Sequence, residues 1–294
     1  MSPAPRSQAA VLAAALLAVG LWGATPLVTK LAVGELTPLT VALLRTVLAA
    51  TLALPVILLA RLAPPRGLRP TLLLGISALC GFVLFPLIFT FGQARTSAGH
   101  GALILAILPV LTGSIAALLE RRLPVGRWWI GVVLAALGTW LLIGQRHDLA
   151  GGGATLAGDL LVLASALAAS LGYVTGALAQ RALGTWRVTF WGLAFGGLLL
   201  LPLLPFASWP AAASPIAWGS VLYLAGLSSI LAYAAWYWAL GQGEIARTGV
   251  IQFAQPVIGV VLAVIILQES LSPEMLIAAA AILLGVAVAR SARS

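Results

Sequence analysis

The chain has 294 residues, 62% of them hydrophobic and 8% charged, with a mean hydropathy of +1.10. Soluble domains carry about 25% charged residues, so a soluble globular fold is excluded; disorder is excluded because it needs low hydrophobicity and high charge. The net charge of +9 is spread singly or in pairs between apolar runs, which is the pattern of loops flanking membrane helices and not of a nucleic-acid surface.

A helix needs about 20 apolar residues to cross the hydrocarbon core. Apolar runs bounded by charged or Pro/Gly-rich breaks predict ten spans, at 8–29, 38–61, 69–94, 98–119, 127–143, 155–180, 185–206, 214–239, 246–267 and 274–291. Arg6 and the apolar run behind it have the form of a signal peptide. Nine further runs favour an uncleaved first span. With the N-terminus inside, 12 of the 16 Lys and Arg residues fall on the inner side and 3 on the outer side (Lys30, Arg95 and Arg146), while Arg45 lies within a span. That bias predicts a multi-pass protein of a bacterial-type inner membrane with both termini cytoplasmic.

An offset of 147 residues relates Pro55 to Pro202 and Pro109 to Pro256, and also Leu31 to Leu178, Ala32 to Ala179 and Phe91 to Trp238. The chain therefore reads as two halves, 1–147 and 148–294, with five spans each. Five is odd, so the second half enters the membrane from the opposite side. The expected fold is an all-α membrane protein whose ten transmembrane helices form two five-helix inverted repeats around a central cavity. Such repeats are typical of secondary transporters, with a substrate site near the midplane.

Chemistry-bearing residues are few. Cys80 is the one cysteine and His100 and His147 are the two histidines, so no disulfide within the chain, metal site or cofactor is expected. The acids Glu35, Glu120, Asp148, Asp159, Glu244, Glu269 and Glu274 fall nearly all at helix ends or in loops. A membrane-embedded enzyme would need a cluster of such groups, and that reading is set aside with the sensor or lipid-handling scaffold.

A buried charge in a bilayer needs a partner or a wet cavity. Arg45 lies roughly 10 Å into the second span at 1.5 Å per residue and reads either as an anchor for a substrate carboxylate or as a clamp on helix-end carbonyls. Lys30, at the end of the first helix, either snorkels to the outer interface or gates. His100 begins the fourth helix and reads as a substrate ligand, a proton acceptor or a helix-end histidine.

In the ninth helix Thr248, Gln252, Gln255 and Gly259 share one face, which reads as a cavity lining at Gln252 and Gln255 or as helix–helix glue. Trp22, Thr25 and Thr29 share a face of the first helix, with Tyr173 near their counterparts in the sixth. Tyr233, Trp236 and Tyr237 line one side of the eighth helix, and its counterpart, the third, carries Pro86, Phe89 and Thr90. These aromatic faces suit an apolar or aromatic substrate group or a cation. Trp128, Trp129, Trp209 and Trp218, at loop edges, read as an interfacial belt. Pro86, Pro109 and Pro256 are candidate hinges.

The segment WGATPLVTKLAVGELTPLTVALLR from Trp22 to Arg45, then ARTSAGHGALILAILPVLTGSIAALLERRL and ARTGVIQFAQPVIGVVLAVIILQESL, resemble the EamA-type branch of the drug/metabolite transporter superfamily over essentially the whole chain. Within it the chain looks most like amino-acid exporters of the YddG type. One departure is spacing: Pro109 to Glu120 is 11 residues and Pro256 to Glu269 is 13. The resemblance implies outward transport of amino acids by alternating access, with small-molecule substrates and the lipid bilayer as partners, no nucleic acid, and an oligomeric state left open, a monomer included. Another small metabolite, such as a phosphate-sugar or a drug-like compound, is the alternative cargo.

Overall fold

A computed structural model describes residues 8–120, 126–144, 154–210, 212–240 and 254–291. Among these residues every regular element is helical. Eight helices are long and apolar enough to cross a membrane: α1 (Gln8–Val33), α2 (Pro38–Leu59), α3 (Leu68–Gln93), α4 (Ala98–Leu119), α5 (Gly126–Gly144), α6 (Leu156–Leu183), α7 (Thr185–Phe206) and α8 (Pro215–Trp236). Two shorter apolar helices follow, α9 (Ala254–Leu267) and α10 (Pro273–Ala289).

The helices turn large aliphatic side chains outward, Leu58, Leu59, Leu137 and Leu284 among them, and bury Ala-rich and Gly-rich faces. Lipid tails are as apolar as Leu, so no hydrophobic force drives helices together there. Small residues instead let backbones approach and gain dispersion. The α5–α10 pair shows it: a Cβ on Gly131 would lie 2.3 Å from the Ala289 nitrogen, and one on Gly285 would lie 2.3 Å from the Ala135 nitrogen.

Backbone groups at helix ends need partners where water is scarce. Thr37, Ser97, Thr155, Ser214 and Ser272 each accept a hydrogen bond from the backbone N–H three residues on, capping α2, α4, α6, α8 and α10. The Glu35 carboxylate accepts from the Ser214 hydroxyl at 2.5 Å and the Ser214 N–H at 2.6 Å. These bonds, the hydroxyl's first, hold the Glu35 carboxyl below its ordinary value. Gly184, with φ of 79°, makes the sharp turn from α6 into α7.

The helix pairings map onto one another at the 147-residue offset. α2 packs on its counterpart α7, α4 on α9 and α5 on α10, while α1 packs on α8 as α6 packs on α3. Two of these counterpart pairs run antiparallel. Gly131 meets Ala289 and Gly138 meets Ile282 across α5 and α10; Ala50 meets Gly197 and Thr40 meets Ser208 across α2 and α7.

α3 and α8 each contain a π-helical stretch, Ala78–Leu84 and Tyr223–Leu231. The offset carries the first onto residues 225–231, inside the second. The sequence reading saw prolines inside continuous helices. In the structure Pro86 is the second residue of a new α-helical run after the π stretch, and Pro109 the second residue after a turn at Ala106–Ile107. A proline cannot donate to the carbonyl four residues back. For Pro86 that carbonyl is Phe82's, and the Thr46 hydroxyl of α2 bonds it at 3.1 Å. Pro256 is buried near the start of α9.

Trp128 corrects the belt expectation. It is only 2% exposed and belongs to the buried cluster that includes Met275, Val286 and Ala289, because it shares the inward face of α5 with Gly131 and Ala135. Trp129 and Trp209 are exposed and Trp218 is half-buried.

Candidate functional site

Arg45 projects from α2 between the two halves and is 3% exposed. Its Nε donates to the Ser229 hydroxyl and its Nη2 to the Ser228 hydroxyl, both at 3.3 Å. Ser228 is paired with the Thr25 hydroxyl of α1 at 2.9 Å, and its carbonyl accepts from Trp22 Nε1 at 3.0 Å. Both serines lie in the π stretch of α8, and the Ser229 hydroxyl donates to the Leu224 carbonyl at 2.8 Å. Among the described residues its hydrogen-bond partners are hydroxyls and not the helix-end carbonyls of the clamp reading. The guanidinium rests on neutral hydroxyls, and its Nη1 is buried with no hydrogen-bond partner among the described residues.

Aromatic side chains lie near the charge. Phe85 of α3 offers its ring to the guanidinium at 5.7 Å, and Phe89 stacks on Phe85 with centroids 5.5 Å apart. Tyr233 stands edge-on to Trp22 at 5.1 Å and near Phe82 at 5.3 Å, Trp236 lies 5.6 Å from Trp22, and the Tyr173 and Tyr233 hydroxyls are 3.5 Å apart. Four helices from both halves thus supply rings to one place: α1, α3, α6 and α8.

The offset shows that this polarity is one-sided. Arg45 corresponds to Gly192, Ser229 to Phe82, Ser228 to Gly81 and Thr25 to Gly172. Where the first set forms hydrogen bonds, the second set is in contact through carbon: a Cβ on Gly192 would meet the Phe82 ring at 2.9 Å and one on Gly172 would meet the Gly81 backbone at 2.8 Å.

A second polar group gathers at the end of the bundle where α3 passes into α4. Lys30 Nζ donates to the Thr96 carbonyl at 2.7 Å and the Gln93 carbonyl at 3.3 Å. His100 Nδ1 lies 3.1 Å from Asp159 Oδ2, and the other Asp159 oxygen accepts from the Thr96 hydroxyl. The Glu269 carboxylate accepts from the Ala98 and Gly99 N–H groups at 2.7 and 2.8 Å. Lys30 is therefore turned inward onto backbone and does not simply reach out along the surface. A pocket of ≈ 190 Å³ opens beside His100, lined by Ser97, Ala154, Ser270, Leu271, Ser272 and Met275.

The structure thus brings Trp22, Thr25, Tyr173, Tyr233, Trp236 and Arg45 to one region, places Phe89 behind Phe85 in a neighbouring buried cluster, and sets His100 and Lys30 apart. Gln252 and the Tyr237 side chain lie outside the described residues. Gln255 is half-buried in α9, and its carbonyl would be 3.0 Å from a Cβ on Gly23. Gly259 is packing, since a Cβ there would lie 2.6 Å from that of Ala102. Sequence reasoning passed over Ser228, Ser229, Phe82, Phe85 and Asp159. The adjacent serines in an otherwise apolar run, Leu227 to Leu231, were the available signal for the first two.

The EamA-like transporter family matches the chain twice, at residues 9–144 and 156–291. An uncharacterized transporter of Bacillus subtilis (strain 168), YdeK, is 33% identical over 267 residues, covering 89% of this chain and 90% of its own. A protein of Salmonella typhimurium named "Probable amino-acid metabolite efflux pump" is 28% identical over 287 residues, covering 92% of this chain and 91% of its own. A solved crystal structure matches with a TM-score of 0.66 at 22% identity, over 98% of this chain and 99% of that one; at that identity it speaks for the fold. With two matches that span nearly the whole chain and multiple apolar helices, the protein is an integral membrane protein that belongs to the EamA-like transporter family.

Proposed function

We propose that the protein exports amino acids with apolar or aromatic side chains across the inner membrane, by alternating access between two inverted five-helix halves. The observation that carries this reading is Arg45 Nη1, buried with no hydrogen-bond partner among the described residues, with the Phe85 ring 5.7 Å from the guanidinium. A buried guanidinium held only by hydroxyls lacks an anion, and a carboxylate satisfies it with short charge-assisted hydrogen bonds. Trp22, Phe89, Tyr173, Tyr233 and Trp236 then receive the side chain, and Thr25 with Ser228 and Ser229 keeps the guanidinium aimed.

The antiparallel counterpart pairs α2–α7 and α5–α10 support the inverted repeat, as does the placing of Lys30 near the end of α1 and Asp159 at the start of α6 on one polar group. Equal and opposite halves have two nearly equivalent packings, one open to each side. The His100 end is assigned to the outside, from the distribution of Arg and Lys between the loops. A phosphate-sugar cargo is less well supported, because it calls for at least two buried cations and Lys30 is engaged with backbone carbonyls away from the rings. The efflux-pump relatives agree with an amino-acid cargo by name.

Purified protein in liposomes tests this with a panel of labelled amino acids. Counterflow of apolar or aromatic amino acids is expected, and its loss in Arg45→Met. Movement of a nucleotide sugar with no amino-acid flux contradicts the assignment.

A further inference from the structure

Several polar ties among the described residues at the α3–α4 end converge on the segment from Gln93 to His100, the Thr155 hydroxyl and N–H of the second half holding the Arg95 carbonyl at 2.7 and 3.0 Å. Lys30 of α1 holds its Thr96 and Gln93 carbonyls, Asp159 of α6 holds the Thr96 hydroxyl and the His100 ring, and Glu269 beyond α9 holds the Ala98 and Gly99 N–H groups. Gln93 Nε2 also bonds the Ser97 carbonyl at 2.9 Å. Asp159 and Glu269 belong to the second half, and the segment they hold to the first. The halves cannot part at this end until those bonds break.

We propose that His100 and Asp159 form a proton-binding site that latches this end of the protein: proton uptake holds it closed and proton loss lets it open. The inference rests on the transporter reading for its two states. The geometry has three parts. The pair joins the two halves directly. It is buried, Asp159 being 1% exposed. Beside His100 the ≈ 190 Å³ pocket presents the hydroxyl-bearing residues Ser97, Ser270 and Ser272, large enough and polar enough to hold a few waters and so to pass a proton.

The charged groups around the pair are accounted for on each packed element. Lys30 faces it from α1, and Glu269 from the end of α9 lies against Gly99. Arg95, in the α3–α4 turn, is directed to the Phe91 carbonyl and ring. α10 places Met275 at the pocket, with Glu274 in its first turn. Imidazole gains a charge between about pH 5 and 8. Gaining it adds a positive charge to a hydrogen bond that already ends on the Asp159 carboxylate and makes the pair an ion pair, which is stronger and present only when the halves are together.

Linkage makes the effect reciprocal: protonation favours closure by the factor by which closure favours protonation. Spin labels on the exposed positions Gly34→Cys of the first half and Leu156→Cys of the second, in a Cys80→Ala background, report the separation of the halves at this end by pulsed dipolar spectroscopy in nanodiscs, without substrate. The long-distance fraction, relative to the short one, is expected to rise at least about fivefold from about pH 5.5 to pH 8. His100→Gln and Asp159→Asn are each expected to flatten that response. A distance distribution that is the same at both pH values, read on the labelled protein with the pair intact, overturns the latch. So does an undiminished response in either folded variant. Arg45→Met is expected to keep the response, so a failed amino-acid assignment and a failed latch give different results.

Discussion

Arg45 and Gly192 occupy the same register of α2 and α7, 147 residues apart, in opposite surroundings: a guanidinium on two serine hydroxyls in one half, a bare backbone under the Phe82 ring in the other. A duplicated bundle has thereby kept one polar site and filled the matching place with carbon.

Removing the guanidinium is expected to separate binding from folding. A buried charge without an anion contributes little to stability, and apolar replacement is often neutral or better. Arg45→Met should unfold in detergent at or above the wild-type temperature. Its substrate affinity should fall by about 10- to 150-fold, the worth of a hydrogen bond to a charged group at about 1.5–3 kcal/mol. Parallel thermal melts and ligand titrations check both halves of the statement.

Thr46 closes a gap that Pro86 opens, by bonding the Phe82 carbonyl at 3.1 Å. Thr46→Val keeps the shape and leaves that carbonyl without its hydroxyl donor. A buried unsatisfied group costs about 1–3 kcal/mol, so thermal stability should drop while Thr51→Val, whose hydroxyl bonds its own helix at an exposed position, should change it little.

At the α5–α10 seam a Cβ on Gly131 meets backbone on both sides, the Ala289 nitrogen at 2.3 Å and the Gly285 oxygen at 2.4 Å. Neither neighbour is a side-chain end that can swing aside. Gly131→Val is expected to cost at least about 1–3 kcal/mol by overpacking. Gly219→Ala, with nothing within 4 Å of the added carbon, should leave stability unchanged or raise it, as Ala does over Gly in a helix. Unfolding midpoints of the two variants side by side decide this.

Glu35 gives a pH dependence with a definite sign. Its carboxyl is held below the ordinary value of 4.5 by the Ser214 hydroxyl and N–H. A depressed carboxyl favours the folded protein above the unfolded-state value and loses that contribution as pH falls through the folded one. The melting temperature of the wild type relative to Glu35→Gln should therefore be constant above about pH 5 and converge on the variant's as the solution is acidified below about pH 4.

The bundle was legible because its signals are long and repeated. Apolar runs of the length of α1 to α8 have few other readings, and Pro109 and Pro256, 147 residues apart, lie in α4 and α9, which pack on each other. Side-chain partners were not legible, since they depend on register across helices far apart in the chain. Arg45 was picked out as a charge in a span, but nothing local points to Ser228, 183 residues on. Asp159 sits in the first turn of α6, where an acid is ordinary, and its pairing with His100 appears only when α4 and α6 are laid together. Trp128 was misplaced because a loop-edge tryptophan suits the interface unless its face carries Gly131 and Ala135 toward a neighbour. The π stretches leave no composition signal of their own.

On the proposed reading, Arg45 binds the substrate carboxylate among the aromatic side chains. Titration of the protein with an aromatic amino acid and with its carboxamide, isosteric but uncharged at that end, tests it most directly by calorimetry. The acid is expected to bind at least about tenfold more tightly than the amide, a difference of about 1.4 kcal/mol, and Arg45→Met is expected to remove the difference. Equal binding of acid and amide by the wild-type protein would contradict it.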